Sequence, residues 1–318
     1  MNIRIKLSAI IVHVKQTCAH QETTHVRHRC HPPAHWRPGG HPPRHIDFRF
    51  PQASQRYFFY DQNPLASLMF VVFSGIFPPG ERFFMESVRH FRDRITDPVL
   101  KAQVSGFMGQ EALHGREHDR LNDLFRERGL DVDLPARYVR FGLRQLERFS
   151  PRLQLACTTM MEHFTAHLAE VWLTDEALAK SSDPEMLQLW YWHALEELEH
   201  KSVAYDVFEL IGGTQRERKQ AGWLVGIFVM LPVVASWLHL LIKEGQLFNL
   251  KENRRGFKAL FGPKALISSV LRHMPKFWRR KFHPRQQATQ ALEEAWRNRL
   301  FGPQGELLDA YRNPKPSN

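Results

Sequence analysis

Cysteine is scarce in this 318-residue chain, limited to Cys18, Cys30 and Cys157. Three thiols so spread exclude a disulfide framework and point to a reducing, intracellular compartment. No segment alternates apolar and polar residues long enough to make a strand, which excludes a β-rich fold. Recognisable nucleic-acid motifs are missing too, although 44 Lys+Arg against 33 Asp+Glu give a formal charge of +11. That excess lies mainly in the N-terminal arm and after residue 213. It suits an anionic membrane surface or plain solubility rather than a nucleic-acid partner. The apolar patch Leu7–Val14 is followed directly by Lys15 and has no small-residue cleavage site, so no secretory signal is expected.

What is present is helical punctuation. Residues 1–50 are rich in His, Pro and Arg, with His20, His25, His28, His31, His35, His41 and His45. Lacking apolar periodicity, such a segment cannot offset its ordering entropy, and a disordered arm is expected. From residue 64 the pattern predicts helices over 64–77 and 80–95, separated by Pro78-Pro79-Gly80, and over 97–128, 135–149, 151–179 and 184–212. The domain reading is an all-α bundle over 55–213, an apolar helix within 214–245, and a basic amphipathic region over 246–318. Ala221–Ile242 holds no Asp, Glu, Lys or Arg over 22 residues, long enough to cross a bilayer. Membrane association, spanning or peripheral, and burial against the bundle both suit it.

The chemistry sits on the faces that should be buried. Along the helix through residue 111, the apolar stripe Leu100, Val104, Phe107, Leu121, Phe125 is interrupted by Glu111, His114 and His118, which share a ~60° arc. The helix through residue 197 repeats this with His193, Glu197 and His200 between Leu189 and Val207. Both contain Glu-x-x-His, a spacing that lets a carboxylate and an imidazole from adjacent turns grip one metal ion. Two such motifs on inward faces are the signature of dinuclear carboxylate bundles, which also draw one Glu from each of two further helices. Glu162, on a stripe with Leu155, Ala166 and Ala169, answers for one. Glu81, in line with Phe77, Phe84 and Val88, answers for the other, while Glu86 lies ~140° around on a solvated face. Four buried carboxylates without cations would be costly. Two divalent ions would neutralise Glu81, Glu111, Glu162 and Glu197, with His114, His193 and His200 as neutral donors. The competing reading is a bundle whose buried acids pair with Arg or Lys. His118 is an additional candidate ligand or supporting group, and Glu196 could replace or supplement Glu197. His163, His167 and Asp206 read as supporting or structural residues, and Trp190, Tyr191 and Trp192 as packing.

The segments FPPGERFF (77–84), QEALHGREH (110–118), MEHFTAH (161–167) and WHALEELEHKSVAYD (192–206) resemble the bacterial family named predicted metal-dependent hydrolases, over about residues 55–285. The resemblance implies a ferritin-like four-helix bundle. The ligand order is also similar to that of p-aminobenzoate N-oxygenase-type di-iron enzymes: Glu81; Glu111 and His114; Glu162; then His193, Glu197 and His200. The His/Pro-rich arm departs from both patterns.

Three functions follow as expectations. The favoured one is O2-dependent oxidation or oxygenation at a di-iron site, because mixed carboxylate and imidazole donors suit iron or manganese. The second is hydrolysis by a metal-activated water, with zinc or manganese as alternatives to iron and Glu196 or His118 as base. No phosphate loop, oxyanion hole or general-acid pair reinforces it. The third is a non-enzymatic metal-binding bundle at a membrane. The expected substrate is a small or lipid-like molecule. The expected location is the cytoplasm, with the inner membrane surface and a homodimer as open options.

Overall fold

Four α-helices among the described residues have proline as their very first residue, where its missing amide costs nothing. They are α1 (Pro64–Arg89), α2 (Pro98–Glu127), α4 (Pro151–Thr174) and α6 (Pro184–His200). Asn63, Asp97 and Ser150 cap the first three by accepting backbone amides with their side chains. These four form the bundle: α1 packs on α2, α4 on α6, and the two pairs meet through α1 with α4 and α2 with α6. Around them lie α3 (Asp133–Leu146), α5 (Glu176–Ser181), α7 (Val203–Leu210), α8 (Gln215–Val225), α9 (Leu231–Lys243), α10 (Leu250–Phe261), α11 (Leu266–His273) and α12 (Gln290–Phe301). The computed structural model describes residues 40–50, 60 and 62–312. Among them there is no strand, only the isolated bridges Ile46–Tyr311 and Tyr60–Ser182. The fold is an all-α bundle.

Several boundaries differ from expectation, each with a local cause. Pro78-Pro79-Gly80 does not separate two helices but lies inside α1. Pro78 removes the amide that would have bonded the Ser74 carbonyl four residues back. Asn122 Nδ2 of α2 takes that carbonyl at 3.1 Å, so the acceptor freed by Pro78 is paired and the helix continues. The helix expected to reach residue 179 stops at Thr174, where Asp175 turns extended. The one expected over 184–212 divides after His200, and the Lys201 ammonium beside the break pairs with Glu293 at 3.0 Å.

Residues 40–50 were expected to be disordered with the rest of the arm, yet they are packed. Ile46 and Phe48 are buried, and the Phe48 ring lies 5.3 Å from that of Trp192. The strap they form crosses α2 at Gly106 and Gly109, where a Cβ would come within 2.5 Å of the His41 carbonyl oxygen and 2.8 Å of Pro43 respectively. Without side chains there, two backbones approach closely. The earlier histidines, His20 to His35, together with Cys18 and Cys30, lie outside the described residues. Cys157 is a buried free thiol, pushed up to about 12 by burial and therefore unreactive.

The apolar run 221–242 passes through α8, a π-helical turn at Gly226–Met230, and α9. Pro232 leaves the Phe228 carbonyl without its usual helical partner. That carbonyl rests against α3 at Gly142, where a Cβ would sit 1.6 Å from the oxygen. One face of this helix is packed on α1 and α3.

Candidate metal centre

The seven residues singled out for metal binding converge. Glu81 comes from α1, Glu111 and His114 from α2, Glu162 from α4, and His193, Glu197 and His200 from α6. All are buried. Glu197 Oε1 is the hub, 3.2 Å from His193 Nε2, 3.4 Å from His200 Nε2 and 3.6 Å from His114 Nδ1. His200 Nε2 also lies 3.2 Å from Glu111 and 3.9 Å from Glu162. His193 Nε2 is 3.8 Å from Glu81. Three overlapping groups could each hold an ion: Glu81 with His114 and His193, Glu111 with Glu162 and His200, and Glu111 with His114 and Glu197. Gly115 keeps the α1–α2 approach open, since a Cβ there would press on Glu81 Oε2 at 3.0 Å.

The bundle contains its own control. Glu117, Glu196 and Glu199 are acids on the same two helices whose side chains are also covered, and each has arginine partners. Glu117 meets Arg116 and Arg120 at 2.8 and 2.7 Å. Glu196 meets Arg44 at 2.8 Å, and Glu199 meets Arg44 and Arg297 at 2.7 and 2.9 Å. Among the described residues Glu81, Glu111, Glu162 and Glu197 have no Arg or Lys partner. Both oxygens of Glu81, Glu111 and Glu162, one of Glu197, and the inward nitrogens of His114 and His200 lack a hydrogen bond of good geometry. Buried polar atoms are seldom orphaned in such numbers, and a cluster of them with metal-ligand chemistry fits divalent cations.

Each of the three inward histidines is held from behind, as ligating histidines are. His114 Nε2 faces Glu196 Oε2 at 3.1 Å, His200 Nδ1 faces Gln110 Oε1 at 3.1 Å, and His193 Nδ1 faces His118 Nε2 at 2.8 Å. The last contact continues into a chain whose polarity can be derived. Asn122 donates its amide to the Ser74 carbonyl, so its Oδ1 accepts the Ser74 hydroxyl proton at 2.7 Å. Ser74 Oγ must then accept from His118 Nδ1 at 3.0 Å. His118 Nε2 is left bare and accepts from His193 Nδ1. The lone pair of His193 Nε2 is thereby turned toward Glu81 and Glu197. The proline inside α1 thus recruits the asparagine that orients the site histidine.

Electrostatics is divided in the same place. Burial, then the charges of Glu111 and Glu197, pushes Glu81 well above the usual carboxylate range. Burial and Glu197 do the same to Glu162. Glu111 rises to about 7, burial outweighing its contact with His200. Burial opposes the charge on Glu197 as well, but the charge of His200 holds it well below. Burial likewise opposes a charged His200, yet Glu197 and Glu111 raise it well above 6.5. His114 is lowered well below its usual value by burial and by His193, and His118 by the same causes. Cations would displace protons from the acids and from His200 while His114 stays a neutral donor.

Two sequence assignments change. Glu196, considered as a free base, is engaged on both oxygens, by Arg44 and by His114. Burial, against the pull of Arg44, pushes it up to about 7, so above that pH it accepts from His114 as a carboxylate. His118 has both nitrogens committed, to Ser74 and His193, and points away from the acids. His163 faces the His273 carbonyl at 3.2 Å, His167 faces Gln287 at 3.2 Å, and Asp206 meets His283 at 3.1 Å, all outside the centre. Trp190 lies tilted against Phe77 and edge-on to His118, and Trp192 edge-on to His114. Reasoning from sequence missed Gln110, Ser74, Asn122 and Arg44.

A family model described as predicted metal-dependent hydrolase matches residues 42–288. Neither curated proteins nor solved structures yield a match.

Proposed function

The chain belongs to the predicted metal-dependent hydrolase family, and from that premise we propose that it is an enzyme whose bundle holds two divalent ions among Glu81, Glu111, His114, Glu162, His193, Glu197 and His200. The contrast between these acids and their arginine-paired neighbours carries the reading. Glu197 would serve both ions, since its Oε1 is within 3.6 Å of all three imidazoles. Glu196, anchored by Arg44, would fix the ring of His114, and His118 would fix the ring of His193. Replacing His118 by leucine is expected to weaken metal binding by roughly 10–100-fold. The checks are competition with a chromophoric chelator and unchanged circular dichroism.

For the reaction, O2-dependent oxidation with iron is the preferred reading. Bound ions of that kind would supply electrons to dioxygen, which carboxylate-rich sites with some imidazole accommodate. The commitment of Glu196 and His118 to other partners favours it, because it removes the two side chains considered as bases for a metal-bound water. Hydrolysis with zinc or manganese is the second reading, and the family description favours it. The two separate in one experiment. Metal-free protein is loaded anaerobically with Fe(II) and then exposed to air. Oxygen uptake with new near-ultraviolet charge-transfer absorption is expected. No uptake, together with cleavage of an ester or phosphate panel by the zinc or manganese form, would overturn oxidation in favour of hydrolysis.

A further inference from the structure

Among the described residues, two helical stretches are long and apolar enough to cross a membrane, and the fold treats them differently. In α1, 78% of the apolar window is buried, as expected of a core helix, whereas in Gln215–Lys243 only 39% is. The uncovered part is not scattered. Trp223, Ile227, Leu231, Val234, Leu238 and Ile242 are all exposed, and steps of three or four residues place them on one helical face. The nineteen steps from Trp223 to Ile242, at 1.5 Å each, extend this stripe roughly 28 Å. Trp223 is 75% exposed and Leu231 61%, and a continuous apolar patch of this extent on a soluble surface marks an interaction site.

The opposite face says how a partner must approach. Val225, Val229, Val233, Trp237, Leu240 and Leu241 are buried, and Trp237 Nε1 donates to the Leu65 carbonyl of α1 at 3.0 Å. A helix so attached to the bundle cannot be surrounded by lipid, but it can lie along a surface. Charge narrows the choice further. No acidic residue occurs between Glu217 and Glu244, while Arg216 and Lys219 precede the stripe and Lys243 follows it. The neighbouring α3 has no acid between Asp133 and Glu147 and exposes Arg137, Arg140 and Arg144 beside an exposed Phe141. The two helices are tied by Tyr138 Oη and His239 Nδ1 at 3.1 Å. A second copy on this face would bring arginine against arginine, whereas anionic headgroups complement it.

We propose that the exposed face of α8–α9, with its basic margin on α3, docks in plane on one leaflet of an anionic membrane. Purified full-length protein should co-sediment with vesicles of phosphatidylcholine mixed with phosphatidylglycerol, more weakly with phosphatidylcholine alone, and less as salt rises. The triple variant Trp223→Ser, Leu231→Ser, Leu238→Ser should lose binding by about tenfold or more. Arg140→Glu with Arg144→Glu should lose only the preference for the anionic vesicles. Circular dichroism and metal content should be unchanged in both, since none of these residues touches the centre. Brominated lipid should quench the wild type more than Trp223→Phe, a readout that does not depend on how the triple variant folds. The proposal is overturned if the wild type ignores both vesicles or if quenching is equal. It is also overturned if the triple variant turns a dimer into a monomer in ultracentrifugation, which would assign the face to a second copy.

Discussion

Replacing Glu197 by alanine is expected to bring metal content from about two ions per chain to well below one, the largest loss available from a single acid. The reason is position. Glu197 Oε1 is the one carboxylate oxygen within 3.6 Å of His114, His193 and His200 together. Removing it leaves the two halves, Glu81 with His193 and Glu111 with Glu162 and His200, without their shared anion. By contrast Glu199→Ala, only two residues away but paired with Arg44 and Arg297, should leave stoichiometry unchanged while destabilising the strap. Elemental analysis of both variants checks the pair, and equal metal contents would remove Glu197 from its proposed role.

Stripping the metal from the wild type should lower Tm by roughly 10 °C or more near pH 8, read by calorimetry with and without chelator. Each ion bound at about a thousandfold above Kd stabilises by ~4 kcal/mol, so two give ~8 kcal/mol, and a chain of this size shifts ~1.5 °C per kcal/mol. The pH dependence of the stripped form has a definite sign. Glu81, Glu111 and Glu162 titrate higher in the folded protein than their ordinary 4.5. Their contribution is fully present below that ordinary value and is lost as pH rises through the raised one, about 7 for Glu111. The stripped protein should therefore be nearer the loaded one in stability at pH 5 than at pH 8. A gap that instead widened on acidification would contradict the assignment of these acids.

The candidate centre was legible because helical period places Glu111, His114, Glu197 and His200 on faces that the surrounding Leu, Val and Phe mark as buried. The same period could have revealed more. Gln110, His114, His118 and Asn122 follow one another at four-residue steps on α2, so the supporting groups form a ridge visible in the sequence. Arg44 left no such trace: it lies in a stretch of His, Pro and Arg without periodicity, and only the close passage over Gly106 and Gly109 explains its burial. Pro78-Pro79 misled because a proline is read as a helix stop on the assumption that its freed carbonyl has no other donor. The donor, Asn122, is 44 residues away along the chain. Composition could not settle which of α1 and α8–α9 is covered, since each contains a long apolar window and only the packing decides.

Crystals of protein loaded with Fe(II) or Mn(II), measured at the absorption edge of the metal, test the central claim most directly. The account predicts two anomalous peaks within the bundle, one beside Glu81 and His193 and one beside Glu111, Glu162 and His200, with Glu197 reaching both. A map with no peak among these seven side chains, or with metal held only by other histidines, would contradict it.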